Sequence, residues 1–231
     1  MTQKVSQGRI KPEVEWATID TVLLDMDGTL LDRHFDDYFW EQYVPEAYGL
    51  KNNIPTDEAK KNLLKRYRHE EGTLAWTDLD FWSDELGLDI PALKFRVNEL
   101  IQVHPYVVDF LKFCRSMGKG LHIVTNAHSK TLEIKMRKTA LGDHFDQIVC
   151  AEEVGLAKED PLFWKQLKNI IPYDQSRTLL ADDNESVLGS AHQYGIKNLI
   201  YVARPSSTLP TIFSENFQSI EYFYELIDTL E

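Results

Sequence analysis

The chain has 231 residues, of which 43% are hydrophobic, and a formal net charge of −12 at pH 7. This length and apolar content suffice to bury a full α/β core and a smaller appended unit. A chain this acidic lacks the basic face that nucleic-acid binding or anionic-membrane binding requires, so we expect neither partner. A small phosphorylated substrate stays compatible, because a divalent cation and a lysine reverse the potential locally.

The cysteines and the amino-terminal stretch bear on location. Cys114 and Cys150 lie in apolar contexts without metal-ligand spacing, which predicts buried free thiols in a reducing compartment. Residues 1–14 are polar and lack the apolar stretch of a secretory signal, and no run approaches membrane-spanning length. We therefore expect a cytoplasmic protein.

Short apolar runs alternate with helical stretches along the chain. The predicted strands are Thr21–Leu24, 121–124, Gln147–Cys150, 178–181 and Asn198–Val202. This alternation is typical of a parallel sheet with helices on both faces. We predict an α/β fold with a Rossmann-like parallel sheet, in which ligands bind at the carboxyl ends of the strands.

The first predicted strand delivers two aspartates, Asp25 and Asp27, onto a turn at Gly28. Glycine lets the chain leave the sheet and come close to a ligand. One carboxylate can attack phosphorus and form an aspartyl phosphate, while the other exchanges protons with the leaving alcohol and with water. Aspartates are also common in turns for hydrogen-bonding reasons alone. Metal-assisted phosphoryl chemistry is the favoured interpretation.

A long insertion, 34–103, separates this strand from a helix predicted at 105–117. Its pattern predicts helices at 36–48, Thr56–Glu70 and Leu79–Leu86. We interpret the insertion as a helical cap on a catalytic core formed by 1–33 and 104–231.

The insertion is rich in aromatic residues, which can pack the cap or stack on a planar ligand. We expect core packing for most of them, because aromatic burial dominates small-domain energetics. They are Tyr38, Phe39, Trp40, Tyr43, Trp76, Phe81 and Trp82.

Thr125 and Asn126 follow the second predicted strand. Their hydroxyl and amide can bind phosphate oxygens beside the N-terminus of a helix predicted from Ser129. They can equally cap that helix, and the two roles are compatible.

Lys158 and an acidic pair follow later in the chain. A lone lysine in a loop is usually solvated, but Asp182 and Asp183 end the strand at 178–181 and repel one another unless a cation compensates them. A divalent metal or a lysine would relieve that repulsion. Beyond the last predicted strand, the prolines and Ser/Thr residues of 204–214 predict a surface loop, which is followed by a final helix predicted at 220–230.

In this order the four segments resemble the motifs of the haloacid dehalogenase-like hydrolase superfamily: Asp-x-Asp-Gly-Thr, a Ser/Thr after the second strand, a lysine and an acidic pair. The resemblance implies that Asp25 is the nucleophile and Asp27 the general acid/base. We expect Gly28, Thr125, Asn126 and Lys158 to contact the phosphate.

The resemblance also implies a Mg²⁺ cofactor. The expected ligands are the Asp25 carboxylate, the Asp27 backbone carbonyl and Asp183. Asp182 is expected to lie near the metal without coordinating it directly. Mg²⁺ keeps several waters and uses few protein carboxylates, which leaves a coordination place for substrate phosphate.

Within the insertion, the segments 35–40, 73–76, 79–82 and 86–90 resemble those of the bacterial GMP/IMP nucleotidase family. That similarity implies hydrolysis of purine nucleoside 5′-monophosphates. This expectation rests on the resemblance alone, since the catalytic motifs themselves do not reveal the substrate. We expect a small phosphate ester, GMP or IMP, as substrate.

Other functions stay open. A phosphatase or phosphomutase of the same superfamily would use the same core on a sugar phosphate. A dehalogenase is disfavoured, because Asp27 supplies the acid/base group that phosphate release needs. A phospho-accepting signalling receiver also combines acids, a Ser/Thr and a lysine around Mg²⁺, but its acidic pair belongs at the first strand.

Overall fold

The structure, a computed structural model, describes residues 9–227. Part of the polar stretch 1–14 and the end of the helix predicted at 220–230 lie outside these residues. Parallel strands form a six-stranded sheet in the described chain, in the order β3-β2-β1-β4-β5-β6. The strands are β1 Thr21–Leu24, β2 Gly120–Thr125, β3 Gln147–Cys150, β4 Thr178–Asp182, β5 Asn198–Val202 and β6 Gln218–Ile220.

Successive residues of the central strand β1 point into two different hydrophobic cores. Val22 and Leu24 pack into one core and Leu23 into the other, and all three are fully buried. This alternation follows from the two-residue period of a strand, and apolar residues at every position are expected when both faces are covered. The predicted α/β fold with a Rossmann-like parallel sheet is confirmed.

Helices follow β1 and β2 and cover both sheet faces. Between β1 and β2 lie α1 His34–Tyr38, a π-helical turn Phe39–Tyr43, α2 Val44–Asn52, α3 Thr56–Glu70, α4 Leu74–Thr77, α5 Leu79–Leu86, α6 Ile90–Arg96 and α7 Val107–Ser116. After β2 come α8 Ser129–Thr139, α9 Ala151–Val154, α10 Pro161–Leu167, α11 Glu185–Tyr194 and α12 Tyr224–Ile227. Short 3-10 turns lie at Trp16–Thr18, Asn98–Leu100, Leu141–His144 and Gln175–Arg177. The helices predicted at Thr56–Glu70 and Leu79–Leu86 are confirmed, and the one predicted at 36–48 is a longer run with a π-helical turn inside it.

We call residues 34–103 the helical segment. Its aromatic residues pack mainly against each other. The Trp82 and Tyr67 rings meet edge to face with centroids 5.1 Å apart, and the Trp40 and Tyr67 centroids are 5.5 Å apart. Phe39 and Trp82 are buried, whereas Trp40 and Trp76 are half-buried. Tyr38, Tyr43 and Phe81 are also half-buried, and all five half-buried rings pack against the core, so the packing interpretation is confirmed.

The end of the chain differs from the prediction. Gln218–Ile220 forms strand β6 beside β5, and the described helix begins only at Tyr224. A three-residue strand is too short to show an alternating pattern, so its pairing with β5 decides its structure. The predicted surface excursion at 204–214 is also anchored at its ends, because Ser206 and Ser214 are buried.

Cys114 and Cys150 are buried free thiols, as predicted, and burial raises the pKa of both. Among residues 9–227, no helix combines the length and the apolar character needed to cross a membrane.

Candidate active site

The carboxyl ends of β1 and β4 bring the expected nucleophile Asp25 together with the acidic pair Asp182 and Asp183. Leu24 pairs with Ala181, and the Asp25 N–H donates to the Ala181 carbonyl oxygen at 3.0 Å, so Asp25 lies beside Asp182. Carboxylate oxygens of Asp25, Asp182 and Asp183 lie within 4.8 Å of one another. The sheet order reverses between these strands, which is where open α/β sheets bind ligands.

Lys158 lies between two of these carboxylates. Its Nζ donates to Asp25 Oδ1 at 2.5 Å and to Asp182 Oδ2 at 2.7 Å, and its side chain is 2% exposed. Burial by itself would lower the pKa of Lys158, but Asp182 and Asp25 outweigh it and the pKa is raised. The lysine is therefore a buried permanent cation and not the solvated side chain that a loop position commonly implies.

Gly28 makes room for the acidic pair. Its φ is +85°, and a Cβ at this position would overlap the Asp183 carboxylate. A side chain would thus be excluded by both backbone conformation and space. The Gly28 N–H donates to the Leu31 carbonyl oxygen at 2.7 Å. The expected phosphate contact of Gly28 stays a prediction, and its amide is already used within the turn.

Thr125 and Asn126 organise the next loop. Thr125 is buried, and its Oγ1 accepts a hydrogen bond from the Ala127 N–H at 3.0 Å. Asn126 Oδ1 accepts from the Lys158 N–H at 3.0 Å, while its Nδ2 donates to Glu159 Oε2 at 2.9 Å. Asn126 thus ties the loop after β2 to the lysine loop.

Neither residue caps the following helix. The N-cap of α8 is His128, whose side chain accepts from the Lys130 N–H. The capping alternative considered for Thr125 and Asn126 is therefore wrong, because the loop continues for two more residues before the helix starts. Their contact with phosphate stays a prediction.

We call Asp25, the expected nucleophile, together with Lys158, Asp182, Asp183 and Arg33 the nucleophile cluster. Arg33 Nη1 donates to Asp183 Oδ2 at 2.9 Å, so three carboxylates face two cationic side chains. Burial raises the pKa of Asp25 and Asp183, and neighbouring carboxylates raise both further. Lys158 is shared by Asp25 and Asp182, so the cluster has a net charge of −1 when its three carboxylates are ionised.

This imbalance and the donor chemistry fit a divalent cation. Carboxylate oxygens are the hard ligands that Mg²⁺ prefers, and a bound cation favours their ionised forms. The ranking of Asp183 over Asp182 as a ligand stays a prediction.

A second group of potential metal ligands, Asp78, Asp80 and His128, lies closer to the surface. Its carboxylates are already engaged: Lys130 Nζ donates to Asp80 Oδ2 at 2.6 Å, and Asp78 caps α5. This group is more exposed than the nucleophile cluster, since the Asp78 and Asp80 side chains are 42% and 60% exposed.

Asp27 belongs to a different set of charges, which sequence reasoning missed. Asp27 Oδ1 accepts from Lys135 Nζ at 2.5 Å, and the same Nζ donates to Asp36 Oδ2 at 2.5 Å. Lys94 Nζ donates to Asp36 Oδ1 at 2.8 Å. We call Asp27, Lys135, Asp36 and Lys94 the bridging cluster. Burial raises the pKa of Asp27 to about 6, and Lys135 opposes the rise.

One signal in the sequence points to part of this cluster. Lys94 stands in a stripe of buried residues at helical spacing with Ile90, Leu93 and Val97. A lysine on the apolar face of a helix predicts a buried charge that needs a partner. Lys135 offers no such signal, because α8 is rich in basic residues that resemble a solvated face.

A cavity of about 870 Å³ lies between the carboxyl edge of the sheet and the helical segment. At the sheet edge it is lined by Asp25, Asp27, Thr125, Lys158 and Asp183. Across from them it is lined by residues of the helical segment, including Trp40, Leu64, Tyr67, Arg68 and Trp76. A ligand in this cavity can contact the carboxylates at one end and aromatic rings at the other.

The fold and the site together define the class of protein. A model of haloacid dehalogenase-like hydrolases matches residues 19–195. The chain belongs to this family, as the motifs predict.

Particular relatives refine the comparison. The GMP/IMP nucleotidase YrfG of Escherichia coli is 36% identical over 217 residues, which cover 94% of this chain and 98% of that protein. A phosphorylated carbohydrates phosphatase of Thermotoga maritima is 24% identical over 189 residues, covering 78% of this chain and 84% of that protein. These relatives support a phosphatase of this hydrolase family.

A solved structure agrees on the fold. The haloacid dehalogenase-type phosphatase of Thermococcus onnurineus has a TM-score of 0.77 at 23% identity, covering 92% of this chain and 98% of that chain. At this identity the likeness concerns the fold alone.

Proposed function

We propose that the protein is a Mg²⁺-dependent 5′-nucleotidase that hydrolyses GMP and IMP through a phosphorylated Asp25. The observation that carries this proposal is 36% identity to a GMP/IMP nucleotidase over nearly the full length of both chains. The cavity supports it, because it runs from the nucleophile cluster to aromatic and basic side chains suited to a base.

In the first step Asp25 attacks the phosphorus of the ester. A bond forms between an Asp25 carboxylate oxygen and phosphorus, and the bond from phosphorus to the nucleoside oxygen breaks. Asp27 donates its proton to the leaving nucleoside oxygen, for which burial suits it by raising its pKa. Lys158 lowers the repulsion between an anionic nucleophile and an anionic phosphate.

In the second step Asp27 acts as the base. It takes a proton from water, the water oxygen bonds to phosphorus, and the bond from Asp25 to phosphorus breaks. Inorganic phosphate leaves and the Asp25 carboxylate is restored. Asp25 and Asp183, with the Asp27 carbonyl, would hold Mg²⁺, which neutralises phosphate charge when bound.

Residues 34–103 would serve as a cap that selects the base. Trp40 and Trp76 keep edges on the cavity, and a purine offers them a larger stacking face than a pyrimidine. Arg68 lines the same region and can donate to a 6-oxo group, which GMP and IMP share and AMP lacks.

A phosphate-release panel tests the substrate. With Mg²⁺ present, kcat/KM should rank GMP and IMP above AMP, and all three above CMP and sugar phosphates. Comparable efficiency on glucose phosphates, phosphoglycolate and GMP would remove the nucleotidase assignment and favour the sugar-phosphate alternative that the Thermotoga maritima relative represents.

A matched pair of arginines tests the cap. Arg68 lines the cavity, whereas Arg66, two positions earlier on α3, does not. Arg66 instead forms an ion pair with Glu85, with 3.5 Å between Nη1 and Oε2. Arg68→Met should reduce the GMP preference over AMP by about 10-fold, the effect of one hydrogen bond. Arg66→Met should leave that ratio unchanged. An equal ratio in both variants would assign base selection to other residues.

A further inference from the structure

The bridging cluster joins parts of the chain that lie far apart in sequence. Asp27 follows β1, Lys135 lies on α8, and Asp36 and Lys94 lie on α1 and α6 of the helical segment. Lys135 donates to both Asp27 and Asp36, with both distances at 2.5 Å. A single ammonium therefore links the expected acid/base residue to the first helix of the segment.

The two lysines of this cluster are buried. The side chains of Lys135 and Lys94 are 1% and 3% exposed. Both ammonium groups lie 5.3 Å from the centroid of the Phe35 ring, so one aromatic ring contacts both cations. Such burial restricts Lys135 to few rotamers and holds its Nζ in one place.

When Asp27 is ionised, the cluster is balanced in charge, with two carboxylates and two ammonium groups. A buried ion pair offsets its desolvation cost only when its geometry is good and its groups are all partnered. The described cavity is not lined by Lys135, although Lys94 lines it. Lys135 therefore acts on the reaction through the two carboxylates that it contacts, Asp27 and Asp36.

We propose that Lys135 is a positioning residue: it holds the Asp27 carboxyl group for proton transfer and couples that position to the seating of α1 through Asp36. The proposal rests on the acid/base role of Asp27 in the proposed function. Proton transfer needs the carboxyl group within hydrogen-bond reach of the leaving oxygen, and a shift of about 1 Å can cost about 10²-fold in rate.

Leaving-group dependence separates positioning from general damage. The rate of Asp25 phosphorylation would be measured in single turnovers with two substrates. The leaving alcohol of GMP needs a proton, whereas p-nitrophenolate leaves with little help from a proton donor. Lys135→Met should slow the step with GMP by about 10²-fold and that with p-nitrophenyl phosphate far less, with KM little changed. Lys135→Arg should restore part of the loss.

Lys94→Met is the matched control. It also removes one buried ammonium bonded to Asp36, but it leaves the contact between Lys135 and Asp27 in place. For each variant we compare the ratio of the rate loss with GMP to the rate loss with p-nitrophenyl phosphate. A ratio is needed because Lys94 lines the cavity, and its replacement can change the affinity for substrate. Equal ratios in Lys135→Met and Lys94→Met would overturn the proposal, as would equal losses on both substrates in Lys135→Met.

A second pair of variants serves as the control for effects on folding. Asp36→Asn combined with Lys135→Met, or with Lys94→Met, keeps the cluster neutral, and only the first combination removes the contact with Asp27. The same difference in ratio is expected between them, and its absence overturns the proposal.

Asp27→Asn is the reference for the proposed function itself. It should lose about 10²–10⁴-fold with GMP and much less with p-nitrophenyl phosphate in the same step. If Asp27→Asn lacks this selectivity, the acid/base assignment fails. If it has the selectivity and Lys135→Met lacks it, only the positioning role of Lys135 fails. Should the wild type not hydrolyse GMP, the alkyl phosphate preferred in the substrate panel replaces it.

Discussion

Two buried charge clusters lie side by side at the carboxyl edge of the sheet, and they differ in balance. The nucleophile cluster sets three carboxylates against Lys158 and Arg33. The bridging cluster sets two carboxylates against two lysines. Burial penalises the charged forms of the carboxylates and lysines in both clusters, but only the second cluster has equal numbers of anionic and cationic side chains.

The difference indicates what each cluster can do. A cluster with one more carboxylate than cationic side chains has affinity for a cation from solution, and its stability should depend on that cation. A balanced cluster needs no ligand and can hold side chains in fixed positions. The expected nucleophile belongs to the first and the expected proton donor to the second, so the two roles are placed in separately controlled electrostatic surroundings.

Replacement of the nucleophile should have the largest effect. Asp25→Asn is nearly isosteric but cannot attack phosphorus, and kcat should fall on the order of 10⁶-fold, as when other hydrolases lose a covalent nucleophile. Circular dichroism and thermal unfolding should show an intact fold, because the change removes a charge from a cluster with carboxylates in excess. Retained phosphate release would contradict the mechanism.

Breaking the balanced cluster should mainly affect stability. Asp36→Ala leaves Lys94 and Lys135 short of a carboxylate, and loss of one member of a buried ion pair costs about 3–5 kcal/mol. Urea unfolding should show this loss equally with and without Mg²⁺. A loss that disappears when Mg²⁺ is added would show that the two clusters are not independent.

Metal binding should stabilise the protein mainly through the carboxylates of the first cluster. At a Mg²⁺ concentration of about 100 Kd the free energy of unfolding should rise by about 2.7 kcal/mol, which raises Tm by about 5–10 °C in a chain of this size. EDTA should abolish both the shift and the activity.

The acidic pair sharpens this test. Asp183→Ala should raise the Mg²⁺ requirement more than Asp182→Ala, since Asp182 is engaged by Lys158. A metal titration with the opposite ranking would exchange their roles.

The smallest effect should come from a histidine outside both clusters. Burial lowers the pKa of His104, against the opposing influence of Asp32. The unfolded chain therefore binds more protons, and stability should fall as the pH drops below about 6.5, the ordinary pKa of histidine. His104→Gln should flatten this fall in a Tm series from pH 7.5 to 5.5, whereas His192→Gln, at an exposed position, should not. Identical slopes would exclude His104 as the source.

The sequence alone determined the sheet and the position of the acidic residues. Apolar runs predict the five longer strands because both faces of a parallel sheet are buried, so each run reads as continuously hydrophobic. Asp25 and Asp182 follow such runs directly, and parallel strands align their carboxyl ends at one edge. Local pattern and parallel order were therefore enough to predict that these side chains meet.

Only the tertiary structure decided the bridging cluster and the last strand. Lys135 is separated from Asp27 by 108 positions and from Asp36 by 99. Nothing local distinguishes Lys135 from a lysine on a solvated face, because its partners come from elsewhere in the chain. Strand β6 is likewise decided by its pairing with β5, since three residues carry too little pattern of their own.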